Sequence, residues 1–192
     1  GSTNFDKLPA KMRPDILYKS AWAVAQAGDR ETAAKLLTTF IDGYPRDPRI
    51  CEALTLRGDM YAKTKKEPEA LQDFDRVIAR WPKEESAAAA WQRAAQIYAG
   101  RQDLANMAKY YEGLIKNFPK TSPAALAEAH FLLGRAAFDQ GEFQSSISHM
   151  SEAKTLAPQK YGEQVNVLTV LSYHKLQDVH KLQEALEPLQ KN

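Results

Sequence analysis

The 192-residue chain contains a single cysteine, Cys51. No intrachain disulfide can form, and a cysteine-based zinc knuckle is excluded. Long apolar runs are also missing. A membrane-spanning helix needs about 18 consecutive apolar residues, whereas the longest small-apolar stretch here is Ala87–Trp91. Neither sign of charge is in excess: Lys and Arg total 26, Asp and Glu total 24, and the net charge is +2. The balance is local as well, with 16 basic and 14 acidic side chains in residues 1–96 and 10 of each in residues 97–192. A chain without a basic face or an acidic tail is poorly suited to nucleic acid or to an anionic membrane surface. Glycine-rich phosphate loops are absent, since neither G-x-G-x-x-G nor G-x-x-x-x-G-K occurs. So are Asn-Gly hairpin signals and any useful length of β-alternation.

Groups that could carry catalysis are few. None of the four histidines (His130, His149, His174 and His180) lies four residues from another, so no helical metal pair can be read from spacing. They read as surface or packing residues. Cys51 follows Pro48-Arg49-Ile50 at the start of a helix, where a thiol pKa can fall, but no partner base accompanies it and it reads as structural. Asp73 with Asp75 and Glu84 with Glu85 read as solvated helix faces. Lys63, Lys65 and Lys66 are too few for a nucleic-acid stripe. The expectation is a chain that is not an enzyme and takes neither cofactor nor metal.

What the chain does contain is a period. Aromatic-proline pairs stand at Tyr44-Pro45, Trp81-Pro82 and Phe118-Pro119, 37 residues apart, and Pro158 follows after a further 39. Helical stripes lie between them: Leu54, Gly58 and Tyr61, then Ala70, Phe74, Val77 and Ile78. Spacings of i, i+4, i+7 and i+8 mark one apolar face of an α-helix. Gly28-Asp29, Gly100-Arg101 and Gly141-Glu142 are expected to separate paired helices, glycine suiting the left-handed residue past a helix end. Pro68 and Pro123 fit a first helical turn. The residue before each aromatic-proline proline is pushed out of α space, so the second helix of each pair should stop there. The expected fold is all-α.

The repeat resembles the tetratricopeptide family. Leu54, Gly58, Tyr61, Ala70, Phe74 and Pro82 carry the pattern in the second repeat, and Trp91, Ala95, Tyr98, Met107, Tyr111 and Pro119 in the third. The first has Leu17, Ala21, Val24, Ala33, Leu37, Phe40 and Pro45; the fourth has Leu133, Gly134, Ala137, Ser146, Met150, Ala153 and Pro158. Arg57 and Ser20 stand where leucine is usual, and Met107 breaks the small-residue rule, which predicts a wider pair or local repacking there. The resemblance implies a right-handed α-solenoid of antiparallel helix pairs. Repeats are expected at about 14–47, 51–84, 88–121 and 127–160, with a degenerate capping pair at 161–192 built on Val165, Leu168, Leu171, Leu182, Leu186 and Leu189. Residues 1–13 read as a lead, and Gly1-Ser2 as a cloning remnant, which leaves room for a signal sequence, a lipid anchor or further repeats upstream. The 37-residue period and the aromatic-proline linker resemble those of bacterial cell-envelope tetratricopeptide proteins, of the Tol-Pal-associated coordinator and outer-membrane assembly lipoprotein types. This style implies a periplasmic or envelope location; a cytoplasmic one is the alternative.

Such a solenoid implies a concave groove lined by the first helix of each pair. The inward-facing positions expected are Tyr18, Trp22 and Gln26; Thr55, Asp59 and Lys63; Gln92 and Gln96; Phe131, Arg135 and Phe138; and Val167, Leu171 and His174. This mixture suits an extended peptide or a partner helix. Trp22 and Phe131 also fit a packing role between repeats. A clamp for chaperone carboxyl termini is disfavoured, because Asp59 would repel a carboxylate and only Arg93 fits. A protein or peptide ligand is the expected partner; self-association through terminal repeat surfaces is the second reading.

Overall fold

The computed structural model describes residues 9–190, with side chains through Glu187. Residues 1–8, which fall within the expected lead, and the side chain of Leu189 lie outside the described residues. Helices occupy almost all of the rest, and no strand occurs among the described residues. The chain divides at Ile97/Tyr98 into two compact units.

The first unit holds α1 (Arg13–Gln26), α2 (Arg30–Gly43), α3 (Ile50–Lys63), α4 (Glu67–Arg80) and most of α5 (Glu85–Gly100). Helices α1 and α2 pack as a pair, as do α3 and α4, with α2 also against α3. Leu37, Phe40, Ile41, Ile50, Leu54, Phe74 and Val77 are fully buried. Each such side chain contributes about 1.5–3 kcal/mol relative to an exposed one. The close approach of α3 and α4 depends on Gly58, where an added Cβ would lie 2.6 Å from Cε1 of Phe74. Arg57, the departure from leucine, is a polar tie. Its guanidinium donates to both carboxylate oxygens of buried Asp73 at 2.8 and 2.7 Å, and to Thr38 Oγ1 at 2.9 Å. One side chain thereby joins α2, α3 and α4, with its donors satisfied in the bidentate geometry that a buried guanidinium requires.

The second unit holds the end of α5, α6 (Leu104–Asn117), α7 (Pro123–Asp139), α8 (Phe143–Leu156), α9 (Pro158–Lys175) and α10 (Val179–Gln190). Its core includes Ala127, Met150, Ala153, Tyr161 and Val165, with Phe131, Leu156 and Leu168 packed against them. Gly134 plays the part here that Gly58 plays in the first unit: an added Cβ would lie 3.1 Å from His149 Cβ and 3.2 Å from the Ser146 carbonyl oxygen. Met107, where the other repeats place a small residue, is fully buried. Ser146, at a position where the first two repeats place alanine (Ala33 and Ala70), is buried with its hydroxyl unpaired. Pro158 does not lie in a linker, as Pro45, Pro82 and Pro119 do, but opens α9 directly after extended Ala157, a place where its missing N–H costs nothing.

The turns inside helix pairs share one device. The residue before the second helix's N-cap is left-handed at Gly28 (φ +89°), Lys65 (+61°), Gln102 (+58°), Gly141 (+80°) and Gln177 (+58°). Gly28 and Gly141 match expectation. Gly100 does not: it is the last residue of α5, and Gln102 takes the left-handed position. The following residue is Asp in three of the five turns. Asp29, Asp103 and Asp178 each accept a hydrogen bond from the backbone N–H three residues on, at 3.1 Å. This satisfies one of the orphan donors of a helix start. The second helices of the first three pairs end immediately before the aromatic of each aromatic-proline pair, at Gly43, Arg80 and Asn117. No described helix is long and apolar enough to cross a membrane.

Candidate protein-binding surface

In the first unit the expected groove positions lie on the first helix of each pair. Tyr18, Trp22 and Gln26 follow one another at four-residue intervals on α1, as do Thr55, Asp59 and Lys63 on α3; Gln92 and Gln96 stand on α5. Four-residue spacing places them on one helix face. Tyr18 is half-buried and held from three sides. Its ring packs on Phe40 at 5.3 Å, its hydroxyl donates to Glu52 Oε2 at 2.9 Å, and the Arg49 guanidinium lies over it at 5.1 Å. Arg49 is itself fixed by Asp47 and by Asp15 Oδ1, each at 2.9 Å. Burial and the Glu52 carboxylate push the Tyr18 phenol up to about 12, so it remains a neutral donor at any physiological pH.

Trp22, one turn further along α1, is 52% exposed. Tryptophan and tyrosine are among the residue types enriched at binding hot spots. Asp59 pairs with Arg93 Nε at 3.2 Å, and Arg93 also donates to Gln96 Oε1 at 3.1 Å. Burial raises the Asp59 carboxyl above its ordinary value, against the pull of Arg93 and Lys63. Thr55 is half-buried and donates back along its own helix to the Cys51 carbonyl at 3.0 Å; Gln26 and Lys63 are exposed. Cys51 is buried, and burial pushes its thiol up rather than down, which leaves it without the character of a nucleophile.

Three residues that pattern reading did not assign to this surface, Asp15, Arg49 and Glu52, turn out to organise it. The signal was a spacing. Asp15–Arg49, Tyr18–Glu52 and Asp59–Arg93 are each 34 residues apart. That is one helical turn less than the 37-residue repeat, the offset at which neighbouring first helices meet.

In the second unit Phe131 serves packing more than display. It stacks on Tyr161 with ring centroids 4.5 Å apart and planes at 18°. Phe138 makes an edge contact with Phe143 at 5.5 Å, across the α7–α8 turn. Arg135 is exposed and lines a cavity of about 450 Å³ with Gln102, Leu104, Met107 and Asp139. Val167 and Leu171 on α9 are 44% and 42% exposed, and His174 is exposed on the next turn.

Helix pairs joined by one recurring turn define an α-solenoid of the repeat-protein class. The model of the tetratricopeptide repeat matches residues 18–85 and 93–161, and the chain belongs to that family. Solved structures share the fold. A MamA structure labelled AMB-1 is 20% identical, with 94% of this chain and 90% of the other covered and a TM-score of 0.69. MamA 41-end from Desulfovibrio magneticus RS-1 is 18% identical, with 91% and 97% covered and a TM-score of 0.66. A further MamA crystal structure is 15% identical, with 94% of each chain covered and a TM-score of 0.70. No curated protein matches the sequence.

Proposed function

We propose that the chain is a non-enzymatic adaptor that holds a peptide or protein segment against the first-helix faces of its repeats. The observation that carries this reading is Trp22, exposed one helical turn from the anchored Tyr18–Arg49–Glu52 group, with Asp59 on the same unit's next first helix paired to Arg93. A partner that covers Trp22 gains apolar area without having to break the ion pairs around it. The aromatic-proline linkers and the 37-residue period support placement of this adaptor in a bacterial envelope assembly, with a cytoplasmic adaptor as the alternative.

The test is capture of native partners by the intact chain and by Trp22→Ala. A partner held by the wild type is expected to fall at least tenfold with Trp22→Ala while the far-ultraviolet circular dichroism is unchanged; full-strength capture by the variant refutes the reading. A second reading, self-association, is favoured by the exposed row Val167, Leu171, Leu176 and Val179 at the last helix pair. Sedimentation of the same samples over a concentration series separates the two, since a strict monomer removes the second.

A further inference from the structure

The rings of His130 on α7 and His149 on α8 meet with their Nδ1 atoms 3.1 Å apart, centroids 5.3 Å apart and planes inclined at 45°. Both residues are half-buried. Two neutral imidazole nitrogens at this distance share one hydrogen, one ring donating and the other accepting. The meeting is set by the backbones, because Gly134 admits the His149 Cβ to within 3.1 Å of where its own Cβ would stand. The surroundings are negative. Glu152, three residues beyond His149 on α8, acts on both rings, and Glu112 on α6 acts on His149. Burial outweighs these carboxylates and holds both rings below the ordinary histidine value, so their lone pairs are available at neutral pH.

We propose that His130 and His149 form a two-point site for a divalent transition-metal ion of the copper, nickel and zinc class. With metal–nitrogen distances of about 2.0–2.1 Å, donors 3.1 Å apart subtend about 95–102° at the ion, inside the range that tetragonal and tetrahedral centres use. On binding, the ring that carried the shared hydrogen on Nδ1 carries it on Nε2 instead. Each imidazole keeps one proton and both Nδ1 lone pairs face the ion. Among the described residues no group of three His, Cys, Asp or Glu side chains is gathered to hold a metal, so water completes the coordination and the ion is exchangeable. Carboxylate charge nearby favours the cation, and copper binds more tightly than nickel or zinc by the general order for nitrogen donors.

The test is titration of the chelator-stripped chain with copper(II) chloride, and separately with zinc chloride, at pH 7.5, followed by calorimetry and by electron paramagnetic resonance of the copper form. One ion per chain, copper tighter than zinc, and a two-nitrogen imidazole signature are expected. His130→Gln and His149→Gln should each weaken copper by about tenfold or more, while His174→Gln with His180→Gln changes it less than twofold. No binding by the wild type, or copper affinity that survives both His130→Gln and His149→Gln, overturns the site. Should the His130 or His149 variant lose its helicity, the wild-type resonance still decides: coordination by fewer than two imidazoles overturns it.

Discussion

At the scale of single residues, burial decides chemistry more than identity does. Tyr18 becomes a fixed structural donor because Phe40, Arg49 and Glu52 close around it, while Trp22, four residues on, keeps half its surface. His130 and His149 give the chain a pH dependence of definite sign. Burial lowers both, so the unfolded chain binds protons more readily than the folded one. Their contribution is complete above about pH 6.5, the unperturbed histidine value, and is lost as pH falls below it. Thermal melts are expected to show a lower Tm at pH 5 than at pH 7, with His149→Gln removing much of that drop. An equal drop in the variant would mean that the pair is not the titrating element. Asp15, Asp29, Asp47 and Asp103 are held below the usual carboxylate value by hydrogen bonds and ion pairs. Their losses come only in stronger acid, below about pH 4, so the two windows separate.

At the scale of helices, one substitution should change sign with position. Gly58→Ala drives a methyl group to 2.6–3.0 Å from a phenylalanine ring that is fully buried and cannot swing away. A loss of about 1–3 kcal/mol is expected from overpacking. Gly134→Ala meets atoms at 3.1–3.2 Å, one of them backbone, and should cost less. Gly162→Ala, inside α9 with nothing within 4 Å, should stabilise by about 0.5–1 kcal/mol from helix propensity. Urea melts of the three variants check the order; equal effects would deny that α3–α4 and α7–α8 are set by these close approaches. The turns carry a related lesson. Glycine marks only two of the five left-handed positions; Lys65, Gln102 and Gln177 hold the same backbone. Helix packing on either side fixes that turn, overriding a local cost of about 1–2 kcal/mol for a residue with a side chain.

At the scale of the molecule, near-neutral charge and repetition set the terms. Repeat proteins draw stability from nearest-neighbour interfaces rather than from one central core. Both units follow this, with the Arg57–Asp73–Thr38 tie in one and the Phe131–Tyr161 stack in the other. A net charge of +2, with Arg49 and Asp59 of the first unit engaged in ion pairs, leaves little long-range field. Partner affinity is therefore expected to change less than about threefold between 50 and 300 mM salt. A steep salt slope would point to an electrostatic binder and against the Trp22-centred surface.

The sequence by itself determined the fold. The spacing of aromatic-proline pairs and small residues specifies helices, their pairing and most of their ends, because these depend on local backbone sterics and on a 3.6-residue stripe that any reader can count. It also placed Tyr18, Trp22, Thr55, Asp59 and Lys63 on shared helix faces. What it could not decide was which of these side chains would be held and which left open. Phe131 and Trp22 have the same character on paper, yet one is stacked on Tyr161 and the other faces solvent. His130 and His149, 19 residues apart, have no helical register with each other, and only the crossing of α7 and α8 brings their nitrogens together. Such pairings depend on the tertiary approach of separate helices, set here by glycines at the crossing points. Approach distance is a property of packing that no single-helix period contains.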